Sequence, residues 1–268
     1  MSNGDKSPKI VWASGDAYEP YVGRWSRLVA RDFFAWLGLP KKLRWLDVGC
    51  GTGALSSSIL EASDPSSVHG VDPSEGFLAN ARRYVRDSRA RFDIGNAMEL
   101  PVESAAYDAT VSGLVLNFVP KPEQAMAEMQ RAVVPGGTVA LYVWDYAGEM
   151  QMMRRFWDTA VALDPSAEKF AEGARFPICK PEPLESLFRA AGFKDVAVRA
   201  IDAPTVFRDF NDYWTPFLSG QAPAPGYNMS LSEDRRAVLR ERLRATLPFE
   251  KDGTLRLIAR AWAVRGVK

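Results

Sequence analysis

From residue 26 to residue 144 the chain alternates short apolar runs with stretches whose apolar residues recur at helical spacing. Five runs read as buried strands: Arg44 to Val48, Ser67 to Val71, Ala90 to Ile94, Tyr107 to Ser112 and Thr138 to Trp144. Helical periodicity marks Ser26 to Leu37, Ala54 to Ala62, Glu75 to Asp87 and Lys121 to Val133. Continuous apolar runs suit strands covered on both faces, and alternation with helices places them parallel in one sheet. Pro135-Gly136-Gly137 predicts a tight turn that launches the fifth strand.

The regularity stops after Trp144. A Met- and aromatic-rich stretch at about 145–180 predicts helices, with Met150, Met152, Met153, Phe156 and Trp157 among its apolar residues. A helix at Pro183 to Ala191 and a strand at Val196 to Val206 follow. A second irregular stretch at about 209–248 holds a charged helix, Ser232 to Leu247, before a last strand at Thr254 to Val264. The pattern predicts an α/β fold with a doubly wound, mostly parallel seven-stranded sheet. It predicts one domain over 1–268, with an N-terminal lid at 15–37 and the two stretches as helical cap insertions.

The chemistry is concentrated in Leu46-Asp47-Val48-Gly49-Cys50-Gly51-Thr52-Gly53-Ala54-Leu55, a strand running through a glycine turn into a helix. Glycines at alternate positions let backbone pass close to a ligand, and a helix start leaves N–H groups for its polar atoms. Asp47 ends the strand and can face a cation. Gly49, Gly51 and Ala54 also satisfy a dinucleotide-binding pattern, and Asp72 follows at a ribose-binding separation. The loop alone therefore specifies an adenine-nucleoside cofactor without saying which.

Composition narrows the partners. A formal net charge of +1 gives no global attraction to nucleic acid or an anionic membrane. The arginines at 235, 236, 240, 242 and 244 alternate with Glu233, Asp234 and Glu241, as on a solvated helix face. No apolar run reaches the roughly 18–20 residues of a membrane span, and residues 1–15 lack an apolar signal core, so a cytoplasmic enzyme is expected. Two cysteines suggest neither a disulfide framework nor a metal cluster. The single histidine, His69, sits in a strand pattern and is expected to be structural.

The order of motifs resembles the class I S-adenosylmethionine-dependent methyltransferases of the small-molecule, type 11 family, near the bacterial ubiquinone and menaquinone methyltransferase-like enzymes. Ile94-Gly95-Asn96-Ala97-Met98-Glu99-Leu100-Pro101 is similar to that family's third-strand motif. Tyr107-Asp108-Ala109-Thr110-Val111-Ser112 is similar to its fourth, and Val134-Pro135-Gly136-Gly137-Thr138 to its turn before strand five.

The resemblance implies S-adenosylmethionine as cofactor and S-adenosylhomocysteine as product. It implies that Gly49, Gly51 and Gly53 pack against the methionine moiety, that Asp47 lies near its ammonium and that Asp72 accepts the ribose hydroxyls. Ser74 and Gly76 would lie beside the adenine edge, with Pro73 also in the cofactor-binding set; Asn96 and Ala97 would meet the adenine ring, and Leu114 would pack near the sulfonium. Arg24 would reach the cofactor carboxylate from the lid. Asn117 stands where many relatives carry His. No metal is implied. If the acceptor must lose a proton, Tyr18, Tyr21, Asp145 and Tyr146 are candidates.

The expected reaction is in-line methyl transfer to a C, O or N nucleophile of a small, planar or partly apolar molecule. Two rivals are carried: a cofactor-binding protein without catalysis, and a nicotinamide-dependent oxidoreductase. The second accounts less well for the third- and fourth-strand motifs.

Overall fold

In the computed structural model, residues 21, 23–220 and 222–268 are described. Tyr18, a candidate from the sequence, lies outside them. Arg24–Leu37 forms α1, followed by β1 (Arg44–Val48), α2 (Ala54–Ser63), β2 (Ser67–Asp72), α3 (Glu75–Tyr84), β3 (Ala90–Ile94) and β4 (Tyr107–Gly113). Then come α4 (Pro122–Ala132), β5 (Val133–Trp144), α5 (Gln151–Leu163), α6 (Glu172–Arg175), α7 (Pro181–Ala190) and β6 (Lys194–Phe207). The chain ends with α8 (Phe210–Trp214), α9 (Pro223–Ser230), α10 (Glu233–Thr246) and β7 (Leu255–Val267).

The seven strands form one sheet in the order β3-β2-β1-β4-β5-β7-β6. The pairs among β1 to β5 are parallel, and β7 pairs antiparallel with β5. The order reverses between β1 and β4. In doubly wound sheets such a reversal opens a crevice at the carboxyl ends of the strands, where ligands bind.

Two compact units divide the chain. The sheet unit comprises Trp25–Asp145, Pro177–Ala203 and Arg260–Lys268. The insertion unit comprises the described residues up to Arg24, with Tyr146–Phe176 and Pro204–Ala259. Both irregular stretches of the sequence thus fall in one body. Most of the expected lid helix, Trp25 to Leu37, belongs to the sheet unit: Phe33 packs on Tyr142 at 4.9 Å and Phe34 on Trp45 at 5.7 Å. Arg265 donates to the carbonyls of Trp36 and Leu37, satisfying the helix end.

One predicted turn is different. Pro135-Gly136-Gly137 does not precede the fifth strand but lies inside β5, where the register against β4 shifts between Tyr107 and Ala109. Gly136 takes φ +78° and donates to the Lys268 carbonyl, so the irregular segment stays hydrogen-bonded to the C-terminus. The helix expected to run to Asp87 stops at Tyr84, because Val85 leaves helical geometry while its N–H still bonds the Ala81 carbonyl. Among the described residues no helix is long and apolar enough to cross a membrane.

Candidate functional site

The glycine turn hangs from β2. The N–H groups of Gly49 and Cys50 both donate to the Val71 carbonyl, at 2.7 and 3.1 Å. A Cβ on Gly51 (φ +54°) would meet nothing within 4 Å, so this position borders open space. The other two glycines serve packing. A Cβ on Gly49 would strike the Val115 side chain at 2.6 Å, and one on Gly53 would strike Val85 at 2.8 Å. A side chain would thus enter open space at Gly51 and meet other side chains at Gly49 and Gly53.

Asp47 is fully buried at the end of β1. One carboxylate oxygen accepts from the Ser56 hydroxyl at 2.6 Å, while the other has no hydrogen-bond partner among the described residues. Burial pushes its pKa up to about 7, against the opposing pull of the Ser56 bond, and the nearby Asp72 charge adds to the rise. An unpaired buried carboxylate oxygen costs several kcal/mol of lost solvation unless a cation or donor meets it. Ser56 was not anticipated; it is one of four serines in this helix, and only burial beside Leu55 and Ile59 sets it apart.

Asp72 closes β2. Its two carboxylate oxygens accept from the N–H of Gly51 at 3.0 Å and of Ser74 at 2.9 Å. Burial raises its pKa, and these two bonds counter the rise. Each oxygen keeps a second lone pair, so the carboxylate is oriented and still able to accept. Ser74 caps α3, its hydroxyl accepting from the Phe77 N–H at 3.3 Å. Pro73 lies between the two. Asn96 is exposed, its side-chain oxygen accepting from the Met98 N–H at 2.9 Å, with Ala97 beside it.

The end of β4 adds a strained element. Leu114 has φ +62°, a left-handed conformation that costs a branched residue roughly 1–2 kcal/mol. Its N–H bonds the Tyr142 carbonyl at 2.8 Å, and a Cβ on the preceding Gly113 would meet the Tyr142 hydroxyl at 2.7 Å. Two residues past Val115, Asn117 buries both polar ends of its amide without a hydrogen-bond partner among the described residues. Strain and unpaired polar groups cluster at ligand sites, because a bound molecule offsets them.

Asp47, Gly51, Asp72 and Leu114 therefore lie on β-strand ends and loops of one sheet unit. An open approach at Gly51, an orphaned acid at Asp47 and an oriented acceptor at Asp72 fit the ammonium, backbone-hugging chain and diol of an aminoacyl adenosine. Residues 46–141 match the methyltransferase domain model, type 11. The protein is an S-adenosylmethionine-dependent methyltransferase.

A curated relative, the demethylmenaquinone methyltransferase of Staphylococcus aureus, is 28% identical over 188 residues, covering 66% of this chain and 76% of its own. The fold resembles phosphoethanolamine N-methyltransferase 2 of Haemonchus contortus, solved with S-adenosyl-L-methionine. That likeness has a TM-score of 0.59 at 19% identity over 94% of this chain and 56% of that one. It also resembles the cyclase SpnF, with a TM-score of 0.56 at 22% identity over 90% and 81% of the two chains. At such identities the likeness speaks for the fold.

Other sequence candidates of the methyltransferase take different places. Arg24 belongs to the insertion unit, where its guanidinium donates to Asp212 at 3.2 Å and lies 5.0 Å from the Phe207 ring centre. Tyr21 is buried in the same unit, against Phe217. Tyr146 also lies there, 5.6 Å from Phe176, whereas Asp145 is buried at the end of β5 in the sheet unit. His69 is structural: its Nδ1 and the Tyr107 hydroxyl are 2.5 Å apart, and its Nε2 lies 2.9 Å from Asp93. Burial lowers its pKa, with the Arg91 charge adding to that and Asp93 opposing it. On α10, Arg240 and Arg244 each pair with Glu241 and approach the Phe210 ring.

Glu172 carries no signal in the sequence. This acid is 2% exposed, and burial raises its pKa to about 7. Its Oε2 accepts from the Trp157 indole N–H, and its Oε1 has no partner among the described residues. It follows no motif, standing in the irregular stretch where only tertiary packing brings Trp157 to it.

Proposed function

We propose that the enzyme transfers a methyl group to a C, O or N nucleophile of a small, planar or partly apolar acceptor. When bound, S-adenosylmethionine supplies that methyl on a sulfonium. Asp47 would hold the ammonium, its unpartnered oxygen supplying the missing contact. Asp72 would accept from the ribose hydroxyls with the lone pairs that Gly51 and Ser74 leave open. Gly51 would leave the room that any side chain would fill. Pro73, Ser74, Asn96 and Ala97 would border the adenine, and Leu114 the reacting end.

The observation that carries this reading is the pairing, on one strand-end crevice, of the open space at Gly51 with the orphaned oxygen of Asp47. The chain's contribution to the chemistry is to orient a nucleophile and exclude water, which favours a step that cancels charge. The insertion unit is rich in buried aromatic residues, which suits binding of a planar or partly apolar acceptor. The arrangement of Arg24 against Asp212 supports a role in ordering that unit at least as well as one in holding the cofactor carboxylate.

Calorimetric titration with S-adenosylhomocysteine, with NAD⁺ and NADPH as controls, tests the cofactor assignment. Saturable micromolar binding of the first alone supports it; binding of a nicotinamide nucleotide instead would overturn it. Saturable cofactor binding with no methyl transfer across a panel of phenols, quinols and amines would favour a binding protein.

A further inference from the structure

Two serines of α2, the helix that follows the glycine turn, make opposite use of the same hydroxyl. Ser58 turns back on its own helix and donates to the Ala54 carbonyl at 3.1 Å, the ordinary habit of a helical serine. Ser56 instead donates out of the helix, to Asp47 Oδ2 at 2.6 Å. Both partners of that bond are fully buried, so bulk water does not compete for either.

A serine hydroxyl has one proton to donate, and an ionised carboxylate only accepts. The bond therefore commits the hydroxyl proton to Oδ2 and arrests the last torsion of the aspartate, which is broad and nearly twofold when unrestrained. What remains is Oδ1, buried and without a hydrogen-bond partner among the described residues. Ser56 adds its backbone N–H, a first-turn group with no intrahelical partner, and this too favours the ionised acid. Burial and the charge of Asp72, at the end of β2, favour the protonated one. The Cys50 thiol, in the glycine turn, is kept protonated by burial and by the two aspartates, with Arg82 of α3 opposing.

We infer that Ser56 is a positioning residue for cofactor binding: its hydroxyl holds the Asp47 carboxylate in one orientation and leaves Oδ1 as the acceptor for the cofactor's ammonium. The inference rests on the reading of Asp47 as the ammonium acceptor. Ser56 touches no part of the cofactor in this scheme and acts through Asp47 alone. It does so in two ways. The acid presents a fixed oxygen, so no rotational freedom is lost when the ammonium arrives. The acid also ionises at a lower pH than burial alone would allow, so the ion pair forms near neutral pH without a proton first being removed.

The test is calorimetric titration of the full chain with S-adenosylhomocysteine between pH 6 and pH 8. The wild type should bind about tenfold more tightly at the upper end, with its midpoint at the Asp47 pKa of about 7. Ser56→Ala should move that midpoint up by about one pH unit, the value of one hydrogen bond to a charged group, and should weaken binding most at pH 6. Ser56→Thr, which keeps a hydroxyl, should restore the wild-type midpoint. Asp47→Asn should bind weakly and lose this pH dependence, and adding Ser56→Ala to it should change nothing further. A Ser56→Ala variant weakened by the same factor at every pH, or one that weakens Asp47→Asn as much as it weakens the wild type, would overturn the inference, because a serine that merely packs its helix behaves so. Asp47→Asn binding as tightly as the wild type, with the same pH response, would bring down the ammonium reading and this inference with it. Asp47→Asn losing the pH response while Ser56→Ala keeps the wild-type midpoint defeats this inference alone.

Discussion

Asp47 in the sheet unit and Glu172 in the insertion unit are near-duplicates in physical terms. Both are buried acids whose pKa burial pushes up to about 7, each with one oxygen bonded to a neutral side-chain donor and the other without a side-chain partner among the described residues. They differ in what put them there. Asp47 ends a strand and opens a glycine turn, so its surroundings follow from its neighbours in sequence. Glu172 is brought to Trp157, fifteen residues away in an irregular stretch, by helix packing. The difference teaches that a buried acid is readable when secondary structure places its partners and invisible when only packing does.

The sharpest way to break the comparison is at the glycine turn. Gly51→Val should abolish saturable S-adenosylhomocysteine binding in calorimetry. Its fold should pay only the roughly 1–2 kcal/mol of a left-handed side chain. Gly53→Val should instead lower the melting temperature further, since its side chain would press on Val85 and Ala81. If Gly51→Val bound the ligand normally, the open space there would have no functional meaning.

Next in size is a pH effect shared by both acids. Each folded-state pKa, about 7, lies above the ordinary carboxylate value, so the folded protein binds more protons between the two. The stability these groups confer is therefore full at acid pH and declines as pH rises to about 7. Between pH 5 and 7.5 each should account for roughly 2–3 kcal/mol of lost unfolding free energy. Urea melts at the two pH values should show the decline, and Asp47→Asn and Glu172→Gln should each remove their own share. An unchanged decline in either variant would show that acid to be unperturbed.

Asp72→Ala should weaken S-adenosylhomocysteine binding by roughly 1.5–3 kcal/mol, the range for losing charged hydrogen bonds. The same titration on Glu172→Gln should show little change, which sharpens the division of labour between the two units. The smallest effects concern the helix caps. Ser74 caps α3 in the sheet unit and Ser232 caps α10 in the insertion unit. Alanine at either should cost about 1 kcal/mol in thermal unfolding. A single transition shifted equally by both would mean that the units unfold together, and two transitions shifted separately that they do not.

Much of the sheet unit was legible beforehand. The strands at 44–48, 90–94 and 107–112 and the glycine turn lie where periodicity and turn residues placed them, because such signals act over a few residues. The Pro135–Gly137 segment misled, since a proline and two glycines read as a turn until β7 supplies the hydrogen bonds that keep them in the sheet. The three glycines looked alike in sequence. Only the packing of Val115 and Val85 separates two structural positions from the open one.

The sequence by itself determined the α/β alternation, the strand-end acids Asp47 and Asp72 and the nucleoside-type turn between them. All of these rest on local spacing and backbone chemistry. The tertiary structure decided that the two irregular stretches fold into one unit, that Arg24 pairs with Asp212 and that Glu172 meets Trp157. Those contacts join residues far apart in the chain, and burial, which gives the acids their chemistry, exists only once the chain is packed.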